Sequence, residues 1–362
     1  MTSKERVFTA LSGGVPDRIP VLPQICPPHA ISVSGRPLNE TIVDHLRHSE
    51  KYDLMVSECA AAYGVDGFRV WLGGEDFALD WNGKDHYARS PRTGEPFSLI
   101  DFSGGGGLLR LPEDHRELNR IDIDSIILPD ESKLSESREL EPLKKCAARY
   151  GHDMFIIGVP GQFTIETLAH YQGMEQTLID IIERPDFVKD ITEKQLLRSI
   201  SYAKAMLDAG ADGLYIGETF GQFMSPEQFK ELCLPYFQRF VDEVKPYGGI
   251  IYLHMCGRIN HLLDMIPETG VDALEPLDVV GGTDIQLVLE KLQGKVALMG
   301  GVSTLTLSRG TLEQARSESK KCISEVGKKG AYVLAACDML PTETESSKID
   351  AMVQTAAEYG TY

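Results

Sequence analysis

The sequence lacks two features that would direct the chain to a membrane or out of the cell. It has no apolar run of the length that a membrane span needs, and its first residues, Met1–Arg6, hold no signal-peptide core. The seven cysteines are scattered without the spacing of a disulfide framework. An odd number of cysteines without such spacing favours reduced thiols. We therefore expect a cytoplasmic protein with no membrane partner.

The sequence also lacks an excess of positive charge. Its 36 Lys and Arg residues are set against 54 Asp and Glu residues, so the formal net charge is −18. The chain has no basic stripe, and such a charge repels the phosphate backbone, so we expect no nucleic-acid partner. Hydrophobic residues make up 42% of the 362 residues, which is enough for a large core.

Short apolar segments alternate with helical stretches along the chain. Eight segments have the length and composition of buried strands: 19–23, 67–71, 154–159, 213–217, 250–254, 272–276, 296–300 and 331–336. Eight strands separated by helices predict a (β/α)8 TIM barrel, with the active site at the carboxyl ends of the strands. No linker or internal repeat divides the chain, so we predict one domain over residues 1–362.

An open doubly wound sheet is the alternative architecture. It would need a glycine-rich phosphate loop early in the chain, and no G-x-G-x-x-G follows a strand. The run Gly104–Gly107 follows a polar, hairpin-like region (80–111), so we interpret it as a flexible loop. Residues 72–150 form a long stretch that we predict to be an insertion after the second strand, with a possible role as a lid.

Two helix starts have clear sequence signals. Thr2 and Glu5 have the spacing of a capping box. Ser225 is the expected N-cap of a helix over 226–244, with Pro226 at the first position, and Pro235 should kink that helix. A further helix is expected over 312–327.

Histidine and cysteine residues end two of the predicted strands. His254 and Cys256 are two residues apart, so they project from the same face, and Cys337 ends the last strand. One imidazole and two thiolates suit zinc, and three protein ligands leave the fourth position open for a substrate. The spacing alone is equally compatible with ordinary core residues.

Several segments resemble one known family. The opening Ser3–Leu11 and Pro16–Val21, the segment Met224–Phe237, and the closing Cys337–Val353 are similar to the uroporphyrinogen decarboxylase superfamily. The H-x-C…C pattern resembles the zinc- and corrinoid-dependent methyltransferases within it. The resemblance covers nearly the whole chain and implies the TIM barrel.

The resemblance implies that His254, Cys256 and Cys337 bind Zn²⁺. The decarboxylase of the superfamily is metal-free and has an arginine-rich stretch after its first strand that binds the acidic groups of a porphyrinogen. At that place this chain reads Val21–His29, which contains no arginine. A tetrapyrrole would therefore lack its counter-charges.

Two carboxylates end strands next to the predicted ligands. Glu218 ends the fourth predicted strand and Glu275 ends the sixth. Either is a candidate catalytic residue or fourth ligand, and each is also compatible with a simple salt bridge. Asp338, beside Cys337, is expected to orient a ligand.

The methyltransferase resemblance implies methyl transfer between a corrinoid (methylcobalamin) and a small thiol or methylated substrate. The chain has no D-x-H-x-x-G segment of a corrinoid-binding module, so a separate corrinoid protein should present the cofactor. Two alternatives remain open: decarboxylation of a tetrapyrrole, and a non-catalytic zinc-binding role in a corrinoid system.

Overall fold

The structure is a computed structural model. It describes residues 1–37, 41, 49–73, 78–81, 86–89, 96–101, 108–110, 123 and 126–362. No helix among these residues is both long and apolar enough to cross a membrane.

Seven parallel strands form the central sheet, and each strand pairs with the next strand of the sheet along the chain. Helices lie between most of the strands. The seven strands are β1 (Gly67–Trp71), β6 (Phe155–Val159), β7 (Gly213–Gly217), β8 (Ile250–His254), β9 (Ala273–Leu277), β10 (Ala297–Val302) and β11 (Tyr332–Ala336). This parallel α/β sheet is the TIM-barrel-like arrangement that the sequence predicts.

The predicted first strand, 19–23, is not a regular strand. The described chain makes a single bridge there, between Val21 and Leu334 of β11. Pro20 and Pro23 have no N–H to donate, which prevents a full ladder. The segment still spans the gap in the sheet, because Leu22 N donates to Leu334 O at 2.9 Å and Asp66 N, just before β1, donates to Val21 O at 2.8 Å.

Helices account for most of the remaining described chain. They are α1 (Ser3–Leu11), α2 (Pro27–Val33), α3 (Ser49–Tyr63), α4 (Glu141–Tyr150), α5 (Ile165–Gln172), α6 (Met174–Glu183), α7 (Pro185–Asp208), α8 (Pro226–Leu232), α9 (Leu234–Val244), α10 (Ile285–Leu292), α11 (Thr304–Arg309), α12 (Leu312–Glu325) and α13 (Ser346–Tyr359).

The expected helix starts are present. Thr2 and Glu5 form a reciprocal capping box at α1, and Ser225 forms another with Gln228 at α8. The predicted helix 226–244 is interrupted as expected near Pro235, since α8 ends at Leu232 and α9 begins at Leu234.

Alternate residues of the central strands face two different cores. One core is the barrel interior, in which Leu22, Phe155, Tyr215, Ile250, Tyr252, Ala273, Ala297, Met299 and Val333 pack together, and α1 contributes Val7, Ala10 and Leu11 to it. The other core lies between strands and helices and contains Leu214, Ile216, Ile251 and Leu253. This alternation decides which strand-end side chains reach the barrel mouth.

The region after β1 contains a second, antiparallel sheet. Its strands are β2 (Ala78–Trp81), β3 (His86–Arg89), β4 (Pro96–Asp101) and β5 (Leu108–Arg110), paired in that order. Helix α4, at the end of the predicted insertion, contacts α3 and β1. The predicted loop at Gly104–Gly107 lies outside the described residues. A lid function for residues 72–150 and the single-domain organisation stay predictions.

Candidate metal centre

His254 and Cys256 lie at the carboxyl end of β8, as their spacing predicts. His254 is the last residue of the strand, and it follows Tyr252 on the face that lines the barrel interior. Both side chains are buried. The Tyr215 ring lies 5.2 Å from the His254 ring, centroid to centroid, so β7 and β8 together hold the imidazole at the barrel mouth.

Asp338 completes a cluster with these two residues. The ligand atoms of His254, Cys256 and Asp338 all lie within 4.8 Å of one another. His254 Nε2 is 4.0 Å from Asp338 Oδ1, and the Asp338 side chain is 37% exposed, so the cluster is open on this side. The sequence predicted Asp338 only as a residue that orients a ligand.

Cys337 is fully buried next to this cluster. It lies one residue beyond the end of β11, the strand whose Val333 faces the barrel interior. Its Sγ accepts a hydrogen bond from the Thr304 N–H at 3.3 Å. Burial raises the pKa of the Cys337 thiol, while the Thr304 N–H opposes this shift. The Cys337 Sγ is not among the ligand atoms of the His254–Cys256–Asp338 cluster, so binding the same cation would require a change of its side-chain torsion.

Glu275 lies behind His254 and contacts it directly. The Glu275 Oε2 atom is 2.8 Å from His254 Nδ1, on the neighbouring strand β9. Arg69 of β1 approaches the other oxygen, Oε1, at 2.5 Å. Burial raises the pKa of Glu275, but the Arg69 charge and the His254 contact outweigh burial and lower it. The carboxylate is therefore ionised and accepts a hydrogen from Nδ1.

Glu218 points away from the cluster. It follows β7 on the face of Leu214 and Ile216, which pack against the helices. Its Oε1 accepts from the Phe220 N–H at 2.9 Å, and its Oε2 is 3.9 Å from Cys233 Sγ. Burial raises its pKa to about 7. The structure does not bring Glu218 to the predicted ligands, and its catalytic role stays a prediction.

The donor set and its electrostatics fit a divalent cation. Burial lowers the pKa of His254, but its contacts with Cys256 and Glu275 outweigh burial and raise it, so the site stabilises positive charge. Ligands of one tetrahedral zinc ion lie about 3.3–3.8 Å apart, given Zn–N and Zn–S bonds of about 2.0 and 2.3 Å. Small side-chain movements would bring the cluster to that spacing.

Comparison with known proteins places the chain in a family. Residues 117–359 match the family described as Uroporphyrinogen decarboxylase (URO-D). The chain belongs to the uroporphyrinogen decarboxylase family. This match confirms the resemblance seen in the sequence and covers most of the barrel, including every residue of the candidate metal centre.

Relatives within the URO-D family include two kinds of enzyme. The chain is 25% identical over 223 residues to Methylcobamide:CoM methyltransferase MtbA of Methanosarcina mazei, with 61% of this chain and 63% of that protein covered. It is 27% identical over 216 residues to a Uroporphyrinogen decarboxylase of Chlorobium limicola, with 58% and 60% covered. The match thus spans less than two thirds of the length of these relatives.

A solved structure confirms the fold over the full length. A methyltransferase from Methanosarcina mazei superposes with a TM-score of 0.72 and 21% identity, covering 99% of both chains. At this identity the similarity shows the TIM-barrel-like URO-D fold and not the activity.

Arg69 was missed by the sequence interpretation. It lies in the middle of the apolar strand Gly67–Trp71 and is 2% exposed. A charged residue flanked by apolar residues in a buried strand rarely lacks a partner. That signal could have identified Arg69, although nothing in the sequence indicates that its partner is Glu275.

Proposed function

We propose that this chain is a zinc-dependent methyltransferase that moves a methyl group between a corrinoid on a separate protein and a small thiol or methylated substrate. The observation that carries the proposal is the His254–Cys256–Asp338 cluster at the carboxyl ends of the strands, in which His254 and Cys256 are buried and Asp338 is partly exposed. Among URO-D relatives, one group carries out methyl transfer with a methylcobamide, according to their names.

His254, Cys256 and Cys337 would hold the zinc ion, and Asp338 would lie beside it. Glu275 keeps a hydrogen on Nδ1 of His254 and so leaves Nε2 directed towards Cys256 and Asp338. When bound, zinc supplies Lewis acidity that activates the sulfur or oxygen atom of a substrate.

The arrangement also favours one direction of approach for a methyl carrier. Below the cluster the interior is filled by Tyr215, Tyr252 and Arg69, all of them buried. Asp338 is the most exposed member of the cluster, so the barrel mouth is the accessible side. A corrinoid protein would therefore dock over the mouth, where it can bring the methyl group in line with the substrate atom.

The decarboxylase alternative is disfavoured by charge. Porphyrinogen acetate and propionate groups need cationic partners, and the stretch Val21–His29 offers no arginine. Arg69, which the structure places in the barrel interior, already contacts Glu275.

The test combines metal analysis with two assays. We expect about one zinc per chain, methyl transfer from methylcobalamin to a member of a thiol panel or from a methyl ether to Co(I) corrinoid, and loss of both zinc and transfer in His254→Ala. His152→Ala, at an exposed histidine, is the matched control. An active, metal-free protein would favour decarboxylation. Methyl transfer that persists in His254→Ala would favour a non-catalytic zinc component.

A further inference from the structure

A buried arginine lies directly behind the candidate metal centre. Arg69 Nε donates to the Tyr252 hydroxyl at 2.7 Å and Nη2 donates to Glu275 Oε1 at 2.5 Å. The guanidinium carbon is 4.7 Å from the centroid of the Tyr215 ring. Side chains from β7, β8 and β9 therefore hold one guanidinium in the barrel interior, where a TIM barrel usually has apolar residues.

Glu275 joins this arginine to the imidazole. One of its oxygens accepts from Arg69 and the other accepts from His254 Nδ1 at 2.8 Å. An ionised carboxylate only accepts, so Nδ1 carries a hydrogen, and Nε2 is the nitrogen that can give up its proton and bind a cation. All three side chains are at most 5% exposed, so water does not weaken the chain of contacts.

We propose that Arg69 is a positioning residue of the metal centre. It holds Glu275 in the orientation that fixes the His254 tautomer and directs Nε2 to the cation. The proposal rests on the proposed function in one respect, that the cation is zinc. Carboxylates that orient a metal-binding histidine are a known device, and their loss weakens metal binding about 10- to 100-fold. Here the device extends one residue further, to an arginine on the opposite side of the interior.

The geometry explains why an arginine is needed. Its planar fork reaches Tyr252 and Glu275 at once, whereas a lysine offers a single nitrogen. A buried ion pair adds little stability over a well-packed apolar pair, so stability alone is a weak reason for its presence. Within the described residues Arg69 Nη1 has no hydrogen-bond partner. A direct contact between Nη1 and a negatively charged substrate is therefore the rival role that the test must separate.

The test compares Arg69→Lys, Arg69→Met, Glu275→Gln and the double variant Arg69→Met/Glu275→Gln. Zinc affinity is measured by competition with a chelator. The tautomer of His254 is followed from the ¹⁵N shifts of ¹⁵N-histidine-labelled protein, with and without zinc, and His254→Ala assigns the signals. The double variant removes both buried charges, so it supplies the readout if Arg69→Met alone fails to fold. Arg18→Lys, which alters a remote ion pair with Asp66, is the control.

We expect Arg69→Met and Glu275→Gln each to weaken zinc binding about 10- to 100-fold. The double variant should be no weaker than the worse single variant, because both act through one contact with His254. Arg69→Lys should recover part of the loss, and Arg18→Lys should bind zinc normally. The His254 shifts should indicate a hydrogen on Nδ1 in the wild type and a changed distribution in Arg69→Met.

Three results would decide against parts of this account. Folded Arg69→Met with normal zinc affinity and unchanged His254 shifts overturns the positioning role. Normal zinc affinity together with a raised KM in Arg69→Met would show that Arg69 contacts the substrate. This result would also overturn the positioning role. If the wild type binds no zinc while the His254 shifts still respond to Arg69→Met, the proposed function fails and the positioning role survives.

Discussion

Gly257 and Asp278 join the two loops that follow β8 and β9. The Gly257 N–H donates to Asp278 Oδ2 at 2.7 Å, and this contact is buried. Gly257 immediately follows Cys256, so the hydrogen bond fixes the backbone that presents the thiol. The loop after β9 thereby supports the candidate metal centre without contributing a ligand of its own.

Gly257→Ala should distort this support. Gly257 has φ +83°, and a Cβ at this position would overlap the Gln222 side chain. The left-handed conformation costs a non-glycine residue about 1–2 kcal/mol, and the flexible end of the Gln222 side chain would have to move aside. We expect a lower melting temperature together with weaker zinc binding, measured by thermal unfolding and chelator competition.

Gly64→Ala is the matched control for this change. Gly64 has φ +65°, and a Cβ there has open space around it. It should lose stability through the backbone alone and bind zinc normally. Equal zinc affinity in Gly257→Ala and the wild type would show that the loop does not hold Cys256 in place.

Cys256→Ser should lose zinc and methyl transfer while the fold survives. The barrel core comprises the interior and helix-facing clusters, and neither depends on a metal. Serine offers a harder and more weakly acidic donor than cysteine, so it is a poor replacement. Zinc content by mass spectrometry and circular dichroism check both halves of the prediction. Cys322→Ser, at a half-buried cysteine on α12, is the control, and full zinc occupancy in Cys256→Ser refutes the assignment.

Asp66→Asn should destabilise the barrel without touching the metal centre. The buried Asp66 carboxylate accepts from Arg6 at 2.6 Å, from Arg18 at 3.1 Å and from the Val21 N–H at 2.7 Å. It therefore ties the N-terminal segment into the gap between β1 and β11. Breaking a buried ion pair costs about 3–5 kcal/mol. Denaturant unfolding should show a loss of this order, with normal zinc affinity in the folded fraction.

The exposed Asp130 supplies the comparison for this prediction. Its ion pair with Lys133 lies on the surface, where water and salt screen the charges and such pairs contribute little to stability. Asp130→Asn should therefore leave stability nearly unchanged. If Asp66→Asn and Asp130→Asn lost similar amounts of unfolding free energy, burial would not be the reason that Asp66 stabilises the fold.

Glu218→Gln should change how stability depends on pH. Burial raises the pKa of Glu218 to about 7, from 4.5 in a model peptide. Between these two values the unfolded chain releases its proton and the folded chain retains it. Rising pH therefore favours unfolding over this window, by about 3 kcal/mol at most, and has no further effect above it.

Glutamine does not ionise, so Glu218→Gln lacks this pH-dependent contribution to the free energy of unfolding. Relative to the wild type it should gain stability as pH rises from 5 to 8, measured by urea unfolding at several pH values. Glu290→Gln, at an exposed helical position, should show no such trend. A pH-independent difference between Glu218→Gln and the wild type would contradict the burial argument. Loss of zinc from Glu218→Gln would instead show that Glu218 takes part in zinc binding.

The position of the sheet was largely predictable from apolar periodicity. Strands 67–71, 213–217 and 250–254 have the predicted bounds, and the other four shift by one or two residues. The predicted first strand failed because hydropathy does not register the missing N–H groups of Pro20 and Pro23. The segment keeps its place through Asp66, which is distant in sequence, so local patterns carry no information about it.

The candidate site was predictable where strand alternation applies. Two-residue spacing brought His254 and Cys256 together, and it also places Glu218 on the helical side, away from these two residues. Asp338 and Cys337 differ because they lie beyond the end of β11, where regular alternation stops. The Arg69–Glu275 contact joins β1 to β9 across the barrel, and only the closed sheet brings these residues together.

Zinc-edge X-ray absorption tests the central claim most directly, because it counts the atoms around the metal. The account predicts one zinc per chain with one imidazole nitrogen at about 2.0 Å, two sulfurs at about 2.3 Å from Cys256 and Cys337, and one oxygen. Cys337→Ser should reduce the sulfur count to one, and Asp338→Asn should keep it at two. The account would be contradicted if the wild-type protein bound less than stoichiometric zinc. It would also be contradicted if the number of sulfurs around zinc were the same in the wild type, Cys256→Ser and Cys337→Ser.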